Sequence, residues 1–160
     1  MNSTIENTLK IFNLKDKLEY LNEVAELEYE EWADNKNQNK QERIERKKER
    51  ICNMFTNKSF CKLILTNGEK LIGFISIFPK DCEEENELTP WYATMYVKKE
   101  YRNKGYSRIL NDAILKEARK RKFTTIYLKT NLQNYYEKFG AIFIKKLKSN
   151  ENLYKFELLV

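Results

Sequence analysis

The chain has 160 residues, carries 30 Lys and Arg against 24 Asp and Glu for a net charge of +6, and contains no His; that length predicts one domain over residues 1–160, burying about two thirds of its unfolded surface. The missing His removes the usual zinc, Cys–His and Ser–His–Asp chemistries, and Cys52, Cys61 and Cys82 show no metal-ligand spacing, so no metal is expected and any chemistry must use carboxylate, Tyr, Lys, backbone or water. No apolar run approaches the ~20 residues a membrane span needs, and the polar start with Glu6 lacks a signal-peptide pattern, so the expectation is a cytoplasmic protein with no membrane partner.

Residues 8–14 read either as a short first strand or as the approach to a helix. Apolar residues then recur at Leu18, Leu21, Ala25, Tyr29 and Trp32, a helix stripe with Asp16 as candidate N-cap. Residues 34–40 are polar and break it, and a second helix is predicted over 41–55 with Ile44, Ile51 and Phe55 turned inward. On its outer face Lys and Arg alternate with Glu, and there is no aromatic-plus-basic RNA signature, so no nucleic-acid partner is expected. Residues 60–78 are rich in Ile and Phe and are interrupted at Asn67-Gly68, the hairpin signal, giving two antiparallel strands. Gly73, inside the second, marks either a bulge or a close approach by a neighbouring backbone or ligand. Pro79 ends that strand, and residues 81–87 form an acidic loop ahead of Pro90.

The most informative stretch follows. A strand over 91–97 leads to Arg102-Asn103-Lys104-Gly105-Tyr106-Ser107, after which Tyr106, Ile109, Leu110, Ala113, Ile114 and Ala118 fall at helix spacing. A strand that feeds a Gly-containing turn opening a helix aims several backbone N–H groups and the positive end of the helix dipole at one point, which suits phosphate. The net charge permits such an anion. The cations at 119–122 lie where the dipole of the helix C-terminus favours them. Beyond them come a strand over 124–129, a short helix over 131–139 with Gly140 as its C′ residue, a strand over 141–146 and a last antiparallel strand over 153–159. The sum is an α/β (α+β) chain with a mixed, mostly antiparallel sheet, helices on both faces, and a βαβ crossover from 91–97 to 124–129.

Arg-x-x-Gly-x-Ser after a strand ending in Tyr-Val resembles the acetyl-CoA signature of the GCN5-related N-acetyltransferases, in which the last position is Gly or Ala; Ser107 is the departure. Asn134-Tyr135-Tyr136-Glu137-Lys138-Phe139-Gly140-Ala141 resembles the second signature of that family, and Leu88-Thr89-Pro90-Trp91 looks like a bacterial subgroup of it. The resemblance covers residues 60–146 well and the first 55 poorly. It implies a six- to seven-stranded sheet, with acetyl-CoA as cosubstrate and the two parallel strands splayed in a V around the pantetheine arm. Main-chain groups of Met95 and Val97 would bond the pantetheine amides as an added strand would, and Tyr96 between them belongs to the cofactor set. The amides of Asn103, Lys104, Gly105, Tyr106, Ser107 and Arg108 would cradle the pyrophosphate, and Arg102 and Asn134 belong to the cofactor set. Tyr136 matches the tyrosine that protonates the leaving thiolate, a role open to a phenol that holds its proton at neutral pH. Tyr135, one step round a helix, would face elsewhere.

The base that frees the amine is left open. Relatives use a Glu where this chain has Lys129 or Thr130, so Glu30, Glu31 or Glu87 would serve directly or through water. The expectation is an N-acetyltransferase working by direct attack in a ternary complex on a small-molecule or peptide amine, since neither His nor a positioned Cys is there to carry the acetyl group. A homodimer is left open, and the alternative is a non-catalytic acyl-CoA-binding module of the same fold.

Overall fold

The computed structural model describes residues 8–158. The polar start at Glu6 and the extension of the last strand to Leu159 fall outside them. Seven strands form one sheet: β1 (Leu9–Asn13), β2 (Cys61–Asn67), β3 (Lys70–Phe78), β4 (Trp91–Val97), β5 (Thr125–Thr130), β6 (Ile142–Lys146) and β7 (Asn152–Glu157). Their order is β1-β2-β3-β4-β5-β7-β6, and every pairing is antiparallel except β4 with β5. Helices α1 (Leu21–Trp32) and α2 (Lys40–Met54) lie on one face, and α3 (Tyr106–Lys120), the crossover between β4 and β5, lies on the other.

Residues of β2 alternate between two cores because strand side chains alternate between faces. Leu63 and Leu65 join Leu110, Ile114, Leu115 and Ala118 of α3, whereas Ile64 joins Leu21, Val24 and Ile51 of α1 and α2. The sheet is therefore apolar on both sides through its middle, as a sheet sandwiched by helices must be. Gly73 of β3 combines both expectations for it. A bulge displaces the β2–β3 register between Leu65 and Thr66, and a Cβ on Gly73 would sit 2.3 Å from the Tyr96 carbonyl oxygen and 3.1 Å from the Val97 Cα. Only a residue without a side chain lets β4 press this close.

Three expectations are corrected. The first helix does not start near Leu18 under an Asp16 cap; two 3₁₀ turns, Leu14–Asp16 and Leu18–Tyr20, come first, and Asn13 accepts from the Lys15 amide at 3.1 Å. Lys17, at the non-helical φ −140° and ψ 57°, prevents a continuous helix; Leu18 is 53% exposed and the buried stripe runs Leu21, Val24, Ala25, Glu28, Tyr29. Trp32, assigned to that stripe, stands 48% exposed. Secondly, residues 131–139 do not form a helix; only Tyr136–Phe139 makes a 3₁₀ turn. The Thr130 hydroxyl takes the Leu132 amide at 3.1 Å and Asn134 sits at φ +57°, so side-chain bonding and a left-handed residue compete with helix over the first half. Gly140 closes the turn at φ +97°, as its placement after Phe139 implied. Thirdly, without that helix Tyr135 does not turn away: its ring centroid lies 4.8 Å from that of Tyr136.

Candidate active site

Strands β4 and β5 touch at one register pair, Trp91 with Tyr127, backed by the Tyr127 amide bonding the Pro90 carbonyl at 3.0 Å. Beyond that point they part. The cause lies in β4, where an extra residue breaks the register with β3 between Phe74 and Ser76 and Thr94 adopts φ +50°, a conformation hostile to a β-branched side chain. Thr94 is held there by a buried polar cluster. Its hydroxyl lies 2.6 Å from the Ser76 hydroxyl and 3.4 Å from the Lys62 ammonium, which also donates to Ser76 at 2.6 Å and pairs with Glu28. Lys62 is fully buried and Glu28 nearly so, and the second Glu28 oxygen faces Lys47 at 3.5 Å.

The gap widens into two cavities. The first, about 680 Å³, runs along the outer half of β4 to the start of α3 and is lined by Met95, Tyr96, Val97, Arg102, Asn103, Gly105, Tyr106 and Ser107. Eight of the proposed cofactor residues are thus brought together. Lys104, Arg108 and Asn134 are exposed and line neither cavity; the Arg108 guanidinium instead sits 4.9 Å from the centre of the Phe139 ring. Gly105 is the N-cap of α3 at φ +83°, a backbone state that by itself favours glycine, and among the described residues no atom lies within 4 Å of where its Cβ would be. No side chain among the described residues caps this helix, so its first-turn amides lack a side-chain acceptor. Arg102 lies back on β4, donating to the Val97 carbonyl at 2.8 Å. Tyr135, Leu132 and Lys138 also line this cavity, with the Tyr135 hydroxyl 3.4 Å from Ser107 Oγ.

The second cavity, about 480 Å³, lies on the α1/α2 face and is lined by Glu28, Trp32, Lys47, Asp81, Thr94 and Tyr92 among others. Met95 and Tyr136 line both cavities, so the two meet there. The Tyr136 ring packs edge-on against Tyr92, 5.8 Å between centroids, and the Tyr92 hydroxyl is fixed on Asn111 of α3 at 2.8 Å. The Tyr136 hydroxyl has no hydrogen-bond partner among the described residues, and burial, with a smaller push from Tyr135, raises its pKa to about 12. It therefore carries its proton throughout the physiological range. Asp81 is also displaced: burial, opposed by Lys129 and aided by Glu151, lifts it to about 6.

Of the open candidates for the base, Glu30 pairs with Lys40 at 2.7 Å on the surface, Glu31 lines the first cavity, and Glu87 is exposed and lines neither. The residues that sequence reasoning missed are Glu28, Lys62, Thr94 and Asp81. One signal existed, since Lys62 stands in the apolar run Cys61-Lys62-Leu63-Ile64-Leu65, and a Lys in a strand buried on both faces needs a buried partner. Among the described residues no group of three or more Cys, Asp or Glu is arranged to hold a metal.

Comparison with known proteins bears on this geometry. The model of the acetyltransferase (GNAT) family matches residues 21–141. An acetyltransferase of Streptococcus agalactiae superposes with a TM-score of 0.64 at 19% identity, over 94% of this chain and 98% of that one. An aminoglycoside 6′-N-acetyltransferase complexed with coenzyme A gives 0.66 at 15%, over 95% and 97%. A chimera involving Vibrio cholerae spermidine N-acetyltransferase gives 0.67 at 15%, over 94% and 96%. These likenesses speak for the fold. No curated protein matches the sequence.

Proposed function

The chain belongs to the acetyltransferase (GNAT) family, and we propose that it moves the acetyl group of acetyl-CoA to an amine by direct attack within one ternary complex. The observation that carries this reading is that two cavities of different character meet at a single unpartnered phenol, Tyr136. The larger ends on uncapped helix amides and suits pyrophosphate and pantetheine; the smaller offers carboxylates and aromatic rings and suits a cationic amine. In this assignment β4 main-chain groups at Met95 and Val97 bind the pantetheine amides, the Val97 carbonyl exchanging the Arg102 side chain for a ligand amide. The amides at the start of α3 hold the pyrophosphate. Tyr136 donates to the sulfur as the C–S bond breaks. Holding thioester and amine on either side of this junction converts a bimolecular reaction into one within the complex, a contribution of about 7–11 kcal/mol to the barrier where the reacting atoms are well oriented.

The acceptor is a small-molecule or peptide amine carrying positive charge, in keeping with the carboxylates Glu28, Asp81 and Glu151 at the second cavity against Lys47 and Lys129. Cys52, Cys61 and Cys82 are free thiols, which fits a reducing compartment such as the cytoplasm. The test is thiol release from acetyl-CoA in the presence of spermidine, an aminoglycoside and a peptide with a free N-terminus, each measured separately. Amine-dependent release of CoA is expected with at least one; acetyl-CoA binding without release for any cationic amine would identify a binding module instead.

A further inference from the structure

We propose that Asp81 is the general base that takes the ammonium proton from the acceptor, directly or through one water. This rests on the acetyltransferase reading above and adds to it the residue that starts the reaction. Three carboxylates line the acceptor cavity, and two are already engaged. Glu28 is bonded to Lys62 through one oxygen and faces Lys47 with the other, and Glu151 accepts from the Ser149 hydroxyl at 3.2 Å. Asp81 has no hydrogen bond or ion pair among the described residues, yet it is half-buried in the wall of the cavity that ends at Tyr136. A carboxylate left unpartnered where an ammonium must enter is placed to receive its proton.

The electrostatics agree with the geometry. The charged groups around Asp81 are Lys129 on β5, Glu151 before β7, Glu28 on α1 and Lys47 on α2, with Lys80, Glu83 and Glu84 of its own loop lining an adjoining cavity that it shares. Burial outweighs the Lys129 charge and is reinforced by Glu151, bringing Asp81 to about 6. It is then roughly a hundredfold more basic than an ordinary aspartate while still ionised at neutral pH, the compromise a base for an amine of pKa about 10 requires. The protons balance. R–NH3⁺ gives one proton to Asp81; the freed nitrogen pair bonds to the acetyl carbon; the C–S bond breaks with its electron pair leaving on sulfur. Tyr136 gives the sulfur its proton and is refilled from the nitrogen, leaving an amide, a free thiol and one proton on Asp81 to return to water.

The experiment is the pH dependence of kcat/KM for CoA release, using whichever panel amine the wild type turns over fastest, for wild type, Asp81→Asn and Asp81→Glu. Wild type should lose rate below about pH 6, because the base must be ionised. Asp81→Asn should fall about a hundredfold at pH 7 and lose that acidic limb, while acetyl-CoA affinity measured by calorimetry stays within threefold and the circular dichroism is unchanged; Asp81→Glu should keep the limb. An Asn variant within threefold of wild type, with the limb in place, overturns the assignment of Asp81 alone. A folded wild type that binds acetyl-CoA but releases no thiol with any amine overturns the acetyltransferase reading and this assignment with it.

Discussion

Replacing Asp81 by Asn should stabilise the protein above pH 6 while disabling it. Burial raises the Asp81 carboxyl from 3.8 to about 6, so in the folded chain it prefers to be protonated. Whatever this preference adds to stability is present in full below the unfolded value near 3.8 and is lost as pH climbs through 6, where the folded protein must keep a charge in a site that disfavours it. Each pKa step corresponds to about 1.4 kcal/mol, so the loss between pH 4 and pH 7 has a ceiling of about 3 kcal/mol; solvent reaching the half-buried side chain brings it nearer 1–2 kcal/mol. Asn has nearly the same shape and no charge. The stability difference between Asp81→Asn and wild type should therefore grow by that amount across the window and level off above pH 7. Urea denaturation of both proteins at half-unit pH intervals measures it. A difference that stays flat from pH 4 to 8, or that turns against Asn as pH rises, refutes the claim that Asp81 is held in a desolvated cavity wall. Stability gained together with activity lost is what a residue kept for function at the cost of folding should show.

Tyr136→Phe keeps the ring against Tyr92 and removes the proton, so kcat should fall about a hundredfold with acetyl-CoA affinity within threefold, as steady-state kinetics and calorimetry would show. Tyr135→Phe should act differently, weakening acetyl-CoA binding severalfold with kcat nearly kept, because its hydroxyl faces Ser107 at the pyrophosphate end. Acetyl-CoA and CoA should each raise the melting temperature, by about 5 °C or more at a hundredfold excess over the dissociation constant. Gly73→Ala should cost about 2–3 kcal/mol in urea denaturation, since its Cβ would overlap the Tyr96 carbonyl at 2.3 Å and β4 would have to withdraw.

The elements proposed to hold the cofactor were legible as elements because they are contiguous. The strand over Trp91–Val97, the turn through Gly105 and the helix from Tyr106 follow one another in the chain, so a glycine and a 3.6-residue period locate the turn and helix proposed to hold the anion without any knowledge of the sheet. Errors arose where a local competitor overruled the period. Lys17 interrupts the stripe that begins at Leu18, and the Thr130 hydroxyl and Asn134 dissolve most of the short helix expected over 131–139 ahead of Gly140. The loss of that helix matters at Tyr135, which would face away from Tyr136 only in a full helical turn. In a 3₁₀ turn starting only at Tyr136, both rings reach the gap.

The acceptor side could not be read in this way, because Glu28, Lys47, Asp81, Thr94 and Tyr136 come from five separate segments and meet only through the strand order. Two of them, Glu28 and Thr94, are joined by a buried charge on β2, Lys62. Lys62 is fully buried, and a buried ion pair stabilises a fold no better than apolar residues of equal volume, so stability alone does not explain it. Apolar residues at Lys62 and Glu28 could fill the space but could not reach the hydroxyls of Ser76 and Thr94. Those bonds hold Thr94 at φ +50°, and at Thr94 β4 leaves the register that would keep it beside β5. The gap where the two cavities meet is thus tied to the same polar cluster that forms one wall of the acceptor cavity through Glu28. Lys62→Met should accordingly close or displace the junction before it unfolds the chain. Expected is a fall of tenfold or more in kcat with acetyl-CoA affinity little altered, while Lys62→Met paired with Glu28→Leu should recover the lost stability but not the rate. A double variant that regains full turnover would show that filling the space is enough and that the hydroxyl at Thr94 needs no charge to hold it.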